Sequence, residues 1–181
     1  NFGGTNNFGT LYEFNYLTST LTKKIDCSAT LGGKSYNSLV QFTNGKLYGT
    51  LNNGSFSDGG TLISFDTSSN AAVKLIDFQS AINGANPQSS LTKTTSGRIF
   101  GLTKNGGVNG AGTLFEYFPT SNTITKLIDF SSTNGKNPIG AMIEAPNGKL
   151  YGTTDKGGTS DLGTIFEFNP TGNVFTKKID N

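Results

Sequence analysis

Three glutamates are the side chains in this sequence whose spacing suggests chemistry. Glu13, Glu116 and Glu167 occupy equivalent places in runs of apolar residues. If such a carboxyl were buried, its pKa would be raised and it could act as a general acid, and two carboxyls about 5–9 Å apart could cleave a glycosidic bond. The alternative is an ion pair across neighbouring strands, for which a lysine on the following strand is the expected partner. Because Ser64 interrupts the series, we favour the ion pair.

Aspartate forms a second series, with one copy per repeat, three residues after a lysine. The aspartates are Asp26, Asp77, Asp129 and Asp180, and the lysines are Lys23, Lys74, Lys126 and Lys177. These carboxylates could line a channel and bind cations. They could equally form a repeat-to-repeat hydrogen bond or ion pair at the end of the last strand of each repeat. Because a site copied in every repeat is typical of structural contacts, we expect the second role.

Loop aspartates and a single thiol are the remaining candidates. Asp58, Asp155 and Asp161 could coordinate Ca²⁺ through oxygen, although turn formation also explains Asp, Asn and Gly in these loops. Cys27 stands where other repeats have phenylalanine, which predicts a small buried hydrophobe. The sequence has no histidine, so it cannot build a Ser-His-Asp or Cys-His site. We therefore predict no catalytic, cofactor-binding or metal-ligating residue, and we expect that the protein is not an enzyme.

All of these residues recur because the chain repeats itself about every fifty residues. Gly-Thr pairs precede an aromatic run at residues 9, 60, 112 and 163, which are 51, 52 and 51 residues apart. The phrase NGKLYGTL (44–51) returns as NGKLYGTT (147–154), with a looser copy, SGRIFGLT, at 96–103. We expect one repeat region over 1–181, divided into a half unit (1–26) and three units (27–78, 79–130 and 131–181).

Each unit reads as four strands, which we label A to D. In the last unit the predicted strands are Ala141–Ala145, Lys149–Thr154, Thr164–Asn169 and Val174–Asp180. Asn147-Gly148 predicts a tight hairpin between A and B, because both residues tolerate positive φ. The glycine of the LYGT phrase suggests close approach of a neighbouring backbone. Both faces of strands B and C carry apolar groups, so neighbouring sheets must cover both faces, and a β-propeller achieves this.

The predicted fold class is therefore all-β, a propeller of four-stranded antiparallel blades with about three and a half blades in this chain. The strand order is C-D followed by three complete A-B-C-D sets. Propellers usually close with about 4 to 8 blades, so the expected array is a partial or assembled ring. Two copies would supply two C-D halves and no spare A-B half. We therefore expect further repeats of a longer chain, rather than a second copy, to complete it.

At these residues the sequence resembles the GloVer tandem repeat of bacterial secreted and surface proteins. The resemblance rests on NGKLYGTT, the following Gly157-Gly158, the GTIFEF run and the Asn-Pro before the next unit. The second unit departs from the pattern at GRIFGLT and Ser64, and the first inter-unit loop, LGGKSYNS, lacks Asn-Pro. The resemblance implies a propeller-like array, similar in period to kelch propellers, in an exported and anchored bacterial protein. It supplies no catalytic residues.

The net charge and the lengths of the apolar stretches argue against two classes of function. The net charge is +2 without a basic run, which disfavours nucleic-acid binding, and no apolar stretch approaches the roughly 18 residues of a membrane helix. We expect a non-catalytic extracellular or cell-surface module that binds carbohydrate or protein ligands, or acts as a scaffold, with Tyr36 and Phe56 as candidate loop aromatics. The alternatives are a propeller hydrolase or lyase with carboxylates at the axial channel, and a structural strut of a long adhesin.

Overall fold

The described chain folds into antiparallel β-sheets. A computed structural model describes residues 3–54 and 58–180, which form fourteen strands and no helix. Four sheets follow one another along the chain, and each is built from consecutive strands. The predicted all-β propeller fold is confirmed, and the sheets do not close into a ring.

Three sheets are complete blades and one is half a blade. The half blade, which we call the open blade, consists of β1 (Thr10–Asn15) and β2 (Thr20–Asp26). Blade 2 consists of β3 (Val40–Gln41), β4 (Leu47–Leu51), β5 (Thr61–Asp66) and β6 (Ala71–Asp77). Blade 3 consists of β7 (Thr92–Lys93), β8 (Ile99–Thr103), β9 (Thr113–Phe118) and β10 (Thr123–Asp129). Blade 4 consists of β11 (Ile143–Glu144), β12 (Leu150–Thr153), β13 (Thr164–Asn169) and β14 (Val174–Asp180). Within each complete blade the strands pair in chain order, in positions A to D.

The long strands C and D agree with the prediction more closely than the inner strands. In blade 4, β13 and β14 have the predicted bounds, whereas strand A shortens from Ala141–Ala145 to Ile143–Glu144. The carbonyl of Met142 accepts a hydrogen bond of 2.8 Å from Thr92 Oγ1 of blade 3. The chain before β11 therefore bonds to the neighbouring blade instead of extending its own ladder.

The Asn-Gly turns form the predicted hairpins by a different mechanism. Only the glycine has positive φ, 80° at Gly45 and 74° at Gly148. The asparagine contributes its side chain instead, because Asn44 Oδ1 accepts a hydrogen bond of 3.0 Å from the Lys46 amide. Asparagine is therefore selected here for local hydrogen bonding of the turn rather than for a left-handed backbone.

The two faces of blade 3 are covered by different neighbours. Phe115 and Tyr117 of blade 3 lie in a buried cluster with Leu62 and Phe78 of blade 2. The opposite face of blade 3 joins blade 4 in a cluster of Phe100, Leu102, Leu114, Phe130, Met142, Leu150, Phe166 and Phe168. Side chains alternate along a strand, so one set of strand C residues faces the preceding blade and the other set faces the following blade.

The glycine of the LYGT phrase makes room for side chains. A Cβ on Gly101 would collide with the ring of Phe115 and with Leu91, and a Cβ on Gly152 would collide with Phe166 and Met142. The prediction of close backbone approach was therefore wrong. In blades 3 and 4 the glycine makes room for the aromatic ring of strand C, whereas in blade 2 a Cβ on Gly49 would collide with Leu39.

The loops between blades make the same two backbone hydrogen bonds at each junction. The Ala85 amide donates to the Asn105 carbonyl at 2.8 Å, and the Asn86 amide donates to the Gly59 carbonyl at 2.7 Å. Gly135-Lys136-Asn137 and Gly32-Gly33-Lys34 repeat both contacts at their own junctions. Each loop is thus bound to the B–C loops of two consecutive blades. Asn86 and Asn137 have φ of 54° and 53°, a left-handed backbone that asparagine tolerates well.

Candidate functional site

All three glutamates form ion pairs, and two of them, Glu116 and Glu167, are buried. The Glu116 side chain is only 4% exposed. Arg98 Nε and Nη2 donate to its two carboxylate oxygens, each at 2.6 Å, and Arg98 Nη1 donates to the Pro170 carbonyl of blade 4 at 2.8 Å. A bidentate pair of this kind is among the strongest hydrogen-bonded contacts in proteins. The pair joins blade 3 to blade 4 and leaves neither carboxylate oxygen free for proton transfer.

Glu167 repeats this arrangement on blade 4. Lys149 Nζ donates to Glu167 Oε1 at 2.8 Å, and Tyr151 Oη donates to Oε2 at 2.7 Å. The hydrogen bond from Lys149 holds the pKa of the Glu167 carboxyl below its ordinary value, and the bond from Tyr151 adds to the effect. A general acid would need the opposite shift. The strand D lysine, Lys178, lies farther from the carboxylate, at 3.8 Å.

Glu13 on the open blade differs from the other two. Its side chain is 59% exposed, and its ion-pair partner is Lys24 of strand D, at 3.3 Å. The prediction of a strand D lysine is therefore right for Glu13, whereas the main partner of Glu116 and Glu167 is a basic residue just before strand B. Sequence reasoning missed Arg98 and Lys149 in this role. The sequence does contain a signal for this role, because the basic residue of the NGK and SGR phrases recurs at a fixed distance before the glutamate.

The recurring aspartates all pair with the lysine three residues earlier. The Nζ–Oδ distances are 2.8, 3.0, 2.9 and 2.7 Å for Lys23–Asp26, Lys74–Asp77, Lys126–Asp129 and Lys177–Asp180. Asp26 also accepts hydrogen bonds from the amide and hydroxyl of Thr5, and Asp129 accepts one from the Val108 amide. The lysine hydrogen bond is the main cause that lowers the pKa of Asp26. Asp26, Asp129 and Asp180 thus attach the end of strand D to the loop before strand C of the same blade. The aspartates form the predicted ion pairs at the end of strand D, but the contacts lie within one repeat instead of between two repeats.

The loop aspartates serve their own turns. Asp58 and Asp161 have positive φ, and each accepts a backbone amide four residues earlier, from Gly54 at 3.0 Å and Gly157 at 2.8 Å. Asp161 also pairs with Lys136 at 2.9 Å. Within residues 3–54 and 58–180, no three Asp, Glu or Cys side chains converge as a metal site would require. The candidate aromatic Phe56 lies outside these described residues.

Cys27 lies beside a cleft between the open blade and blade 2. The side chain is buried with Leu51 and Ile63, in the place that Phe78 and Phe130 occupy in later blades. Burial raises the pKa of its thiol, and the negative charge of the adjacent aspartate adds to this, so the thiol is a packing group as predicted. The cleft has a volume of about 790 Å³. Among its described lining residues there is no acid, and Leu11, Tyr36, Leu39, Leu51 and Ile63 supply much of its wall.

The open blade exposes residues that the complete blades bury. Tyr12 and Phe14 are 62% and 58% exposed. The residues at the same positions in blades 2 to 4, which are Ile63, Phe65, Phe115, Tyr117, Phe166 and Phe168, are all at most 4% exposed. No described strand pairs with the free edge of β1. The candidate functional site that the described residues form is the cleft between the open blade and blade 2.

Solved structures with similar folds come from bacterial proteins. The extracellular domain of the two-component system BT4673 from B. thetaiotaomicron has a TM-score of 0.65 and 16% identity over 97% of this chain and 20% of that chain. TolB from Acinetobacter baumannii has a TM-score of 0.57 and 12% identity over 93% of this chain and 37% of that chain. The chain thus spans about a fifth and somewhat over a third of these proteins. At such identities the likeness shows the fold alone.

Sequence comparison identifies the repeat. No curated protein matches the sequence. None of the described residues forms a helix long and apolar enough to span a membrane. The sequence profile described as the Gloeobacter/Verrucomicrobia repeat matches residues 3–181, which confirms the resemblance seen in the NGKLYGTT, Gly-Gly and GTIFEF phrases. The chain therefore belongs to the Gloeobacter/Verrucomicrobia repeat family.

Proposed function

We propose that this chain is a non-catalytic interaction module of an exported bacterial protein and that its ligands are proteins. The proposal rests mainly on the cleft between the open blade and blade 2, whose walls combine apolar side chains with hydroxyl and amide groups. Three exposed apolar side chains, Tyr16, Leu17 and Leu21, also lie in the turn between β1 and β2 and at the start of β2. Contiguous apolar surface of this kind is typical of protein interaction sites. A scaffold role in a repeat array is compatible with the same surface.

The arrangement of the acids supports a function without catalysis. A polysaccharide hydrolase or lyase would need carboxyls from different blades around one cavity, with at least one raised pKa. Glu116 and Glu167 are instead engaged by Arg98 and Lys149 within their own blades. The walls of the described cleft contain hydroxyl, amide and apolar groups. This cleft therefore offers no general acid to a bound glycan.

The similar structures and the repeat family support export. One of the similar structures is the extracellular domain of BT4673. The matched repeat family is the family that the sequence resembles, and the resemblance implies secreted and surface proteins. We infer that this chain also works outside the cytoplasm. Expression of the complete reading frame in its host, followed by protease shaving of intact cells, should release peptides of this region. Protection of these peptides until lysis would contradict the inference.

A glycan assay tests the absence of catalysis. The purified chain is incubated with a panel of neutral and acidic polysaccharides, and new reducing ends and unsaturated products are measured. We expect no product above that of the heat-treated protein. Turnover that disappears in Glu116→Gln or Glu167→Gln, while circular dichroism shows an intact fold, would refute the proposal. The matched control is Glu144→Gln, because Glu144 binds the Thr95 amide and hydroxyl at the blade 3–blade 4 junction and lies away from the glutamate series.

A further inference from the structure

Blade 2 differs from the other complete blades at one buried position of strand C. Blades 3 and 4 have Glu116 and Glu167 there, whereas blade 2 has Ser64. All three residues are buried. Because serine lacks the second methylene and the carboxylate of glutamate, blade 2 supplies no carboxylate of its own at this position. The donors that bind such a carboxylate in blade 4 are nevertheless present in blade 2.

The donors in blade 4 form a small network around Glu167. Tyr151 lies opposite Glu167 across strands B and C, and its hydroxyl donates to Oε2 at 2.7 Å. Lys149 Nζ donates to Oε1 at 2.8 Å. Asn147 Nδ2 donates to Tyr151 Oη at 3.2 Å. The phenol oxygen therefore accepts from the amide while its own hydrogen is donated to the carboxylate.

Blade 2 has the same donors in the same register. Tyr48 lies opposite Ser64, and Asn44 Nδ2 donates to Tyr48 Oη at 2.8 Å. Lys46 follows Asn44 at the spacing that separates the lysine from the asparagine in blade 4. Among the described residues, the Tyr48 hydroxyl donates to no carboxylate. Blade 2 thus combines the donors of a carboxylate site with a short, neutral side chain where the carboxylate would lie.

Asp66 is a carboxylate of the chain that could compete for Lys46. The distance from Lys46 Nζ to Asp66 Oδ2 is 4.0 Å, compared with 2.8 Å in the Lys149–Glu167 pair. The other oxygen of Asp66 accepts hydrogen bonds from the hydroxyl and amide of Ser68, at 2.6 and 2.9 Å. The hydroxyl bond is the main cause that lowers the pKa of Asp66. Asp66 is therefore held by the turn after β5, and its contact with Lys46 is weak.

We propose that Lys46 and Tyr48, with Asn44 orienting the phenol, bind the carboxylate of an acidic side chain from a protein ligand. This inference rests on the proposed function, because it names the chemical group that the protein ligand presents. The copy of the site in blade 4 holds a glutamate side chain, which is the reason for assigning the ligand to a protein. None of the three residues lines the cleft, so the site is a second contact point.

The site is accessible at the A–B turn of blade 2. Asn44 is exposed, and the Lys46 side chain is 44% exposed, whereas Tyr48 and Ser64 are buried. A carboxylate from solvent can therefore reach the ammonium group first and the phenol below it. Charge-assisted hydrogen bonds of this kind are strong and directional, and basic groups commonly recognise acidic peptide motifs.

A propionate titration tests the site, because propionate reproduces the side chain of glutamate. The whole isotope-labelled chain is titrated with sodium propionate and followed by amide NMR spectra, with sodium chloride at equal ionic strength as the salt control. We expect saturable shifts of the signals of Lys46, Tyr48 and Ser64. Lys46→Met should weaken the affinity about tenfold, which corresponds to the loss of one charge-assisted hydrogen bond, and Tyr48→Phe should also weaken it. Lys104→Met is the matched control, because Lys104 lies at the opposite end of strand B in blade 3, and it should leave the affinity unchanged.

Two exchanges between blades make the test specific to this position. Ser64→Glu supplies the carboxylate from the chain itself, so it should abolish propionate binding and raise the urea midpoint. Glu167→Ser gives blade 4 the residue of blade 2, so it should create a second propionate site whose shifts centre on Lys149 and Tyr151. Circular dichroism verifies that each variant is folded.

A competition experiment identifies the source of the carboxylate. A capped alanine peptide with one central glutamate should displace propionate, and the same peptide with glutamine should not. Displacement by glucuronate but not by the peptide would assign the site to acidic glycans and overturn the protein ligand. No saturable shift with the original chain, or equal binding by Ser64→Glu, would overturn the site itself. That failure with a negative glycan assay would contradict only this inference, whereas glycan turnover would contradict the proposed function.

Discussion

Replacement of Arg98 tests the idea that the glutamate series stabilises blade interfaces. Arg98→Met keeps the length of the side chain but removes both 2.6 Å bonds to Glu116 and the 2.8 Å bond to Pro170 of blade 4. The Glu116 carboxylate would then remain 4% exposed without a cation. Breaking one partner of a buried pair costs about 3–5 kcal/mol. Because the Arg98 side chain is itself 33% exposed, water can replace part of the contact, and we expect about 3 kcal/mol, at the low end of that range.

Urea unfolding followed by circular dichroism measures this loss. With a slope of about 2 kcal/mol per molar urea, the midpoint should fall by about 1.5 M. Two controls bracket the result. Lys149→Met removes the equivalent pair on blade 4, where Glu167 retains Tyr151, so its midpoint should fall less. The double variant Arg98→Met/Glu116→Leu removes both charges together and should recover most of the loss, because a buried pair can often be replaced by apolar groups at little cost. A double variant no more stable than Arg98→Met alone would refute the account of an orphaned buried charge.

Three further outcomes follow from the titratable groups. The pKa of Glu167 is lowered in the folded state, so its contribution to stability is present above its ordinary value of 4.5 and is lost as pH falls through the lowered folded pKa; Lys149→Met should flatten the pH dependence of the unfolding midpoint in that acid range, and an unchanged slope would contradict this. Burial raises the pKa of Cys27, so iodoacetamide should modify it slowly in the native chain and quickly in urea; equal rates would place the thiol at the surface. Burial raises the pKa of Tyr117 to about 12, so the ultraviolet titration should contain a late tyrosine component that Tyr117→Phe removes, and a titration unchanged by this substitution would contradict the burial.

The fold could be predicted because each strand carries its own local pattern. Strands C and D alternate apolar residues on two faces and end in recurrent turns, and in blade 4 they were predicted to the residue. Strand A was predicted too long, because only two of its residues pair with strand B in each complete blade and so short a strand has no apolar alternation to fix its ends. The role of the LYGT glycine was misjudged for a different reason. Only the packed blade shows that the ring of Phe115 occupies the space beside Gly101.

The ion pairs also fall into two groups: pairs within one strand, which the sequence predicts, and pairs between strands, which depend on packing. The pairing of Lys126 with Asp129 is local, so the repeated phrase was sufficient to predict it. The pairing of Arg98 with Glu116 depends on the register between strands B and C. The sequence also places a lysine on strand D, which is an alternative partner for the same carboxylate. The open state of Glu13 could not be predicted from its surroundings in sequence. Its immediate neighbours match those of the buried copies, and the difference lies in a strand that does not pair with β1.

The two faces of a blade are chemically different, and this determines how an array of such blades can grow. Strand C presents aromatic rings such as Phe166 to the preceding blade and a carboxylate with its cation, Glu167 and Lys149, on its other side. A two-fold contact between two open blades would bring Tyr12 against Tyr12 and would leave both copies of Glu13 without a cation from strand B. Interfaces of this unequal kind are heterologous and grow in one direction.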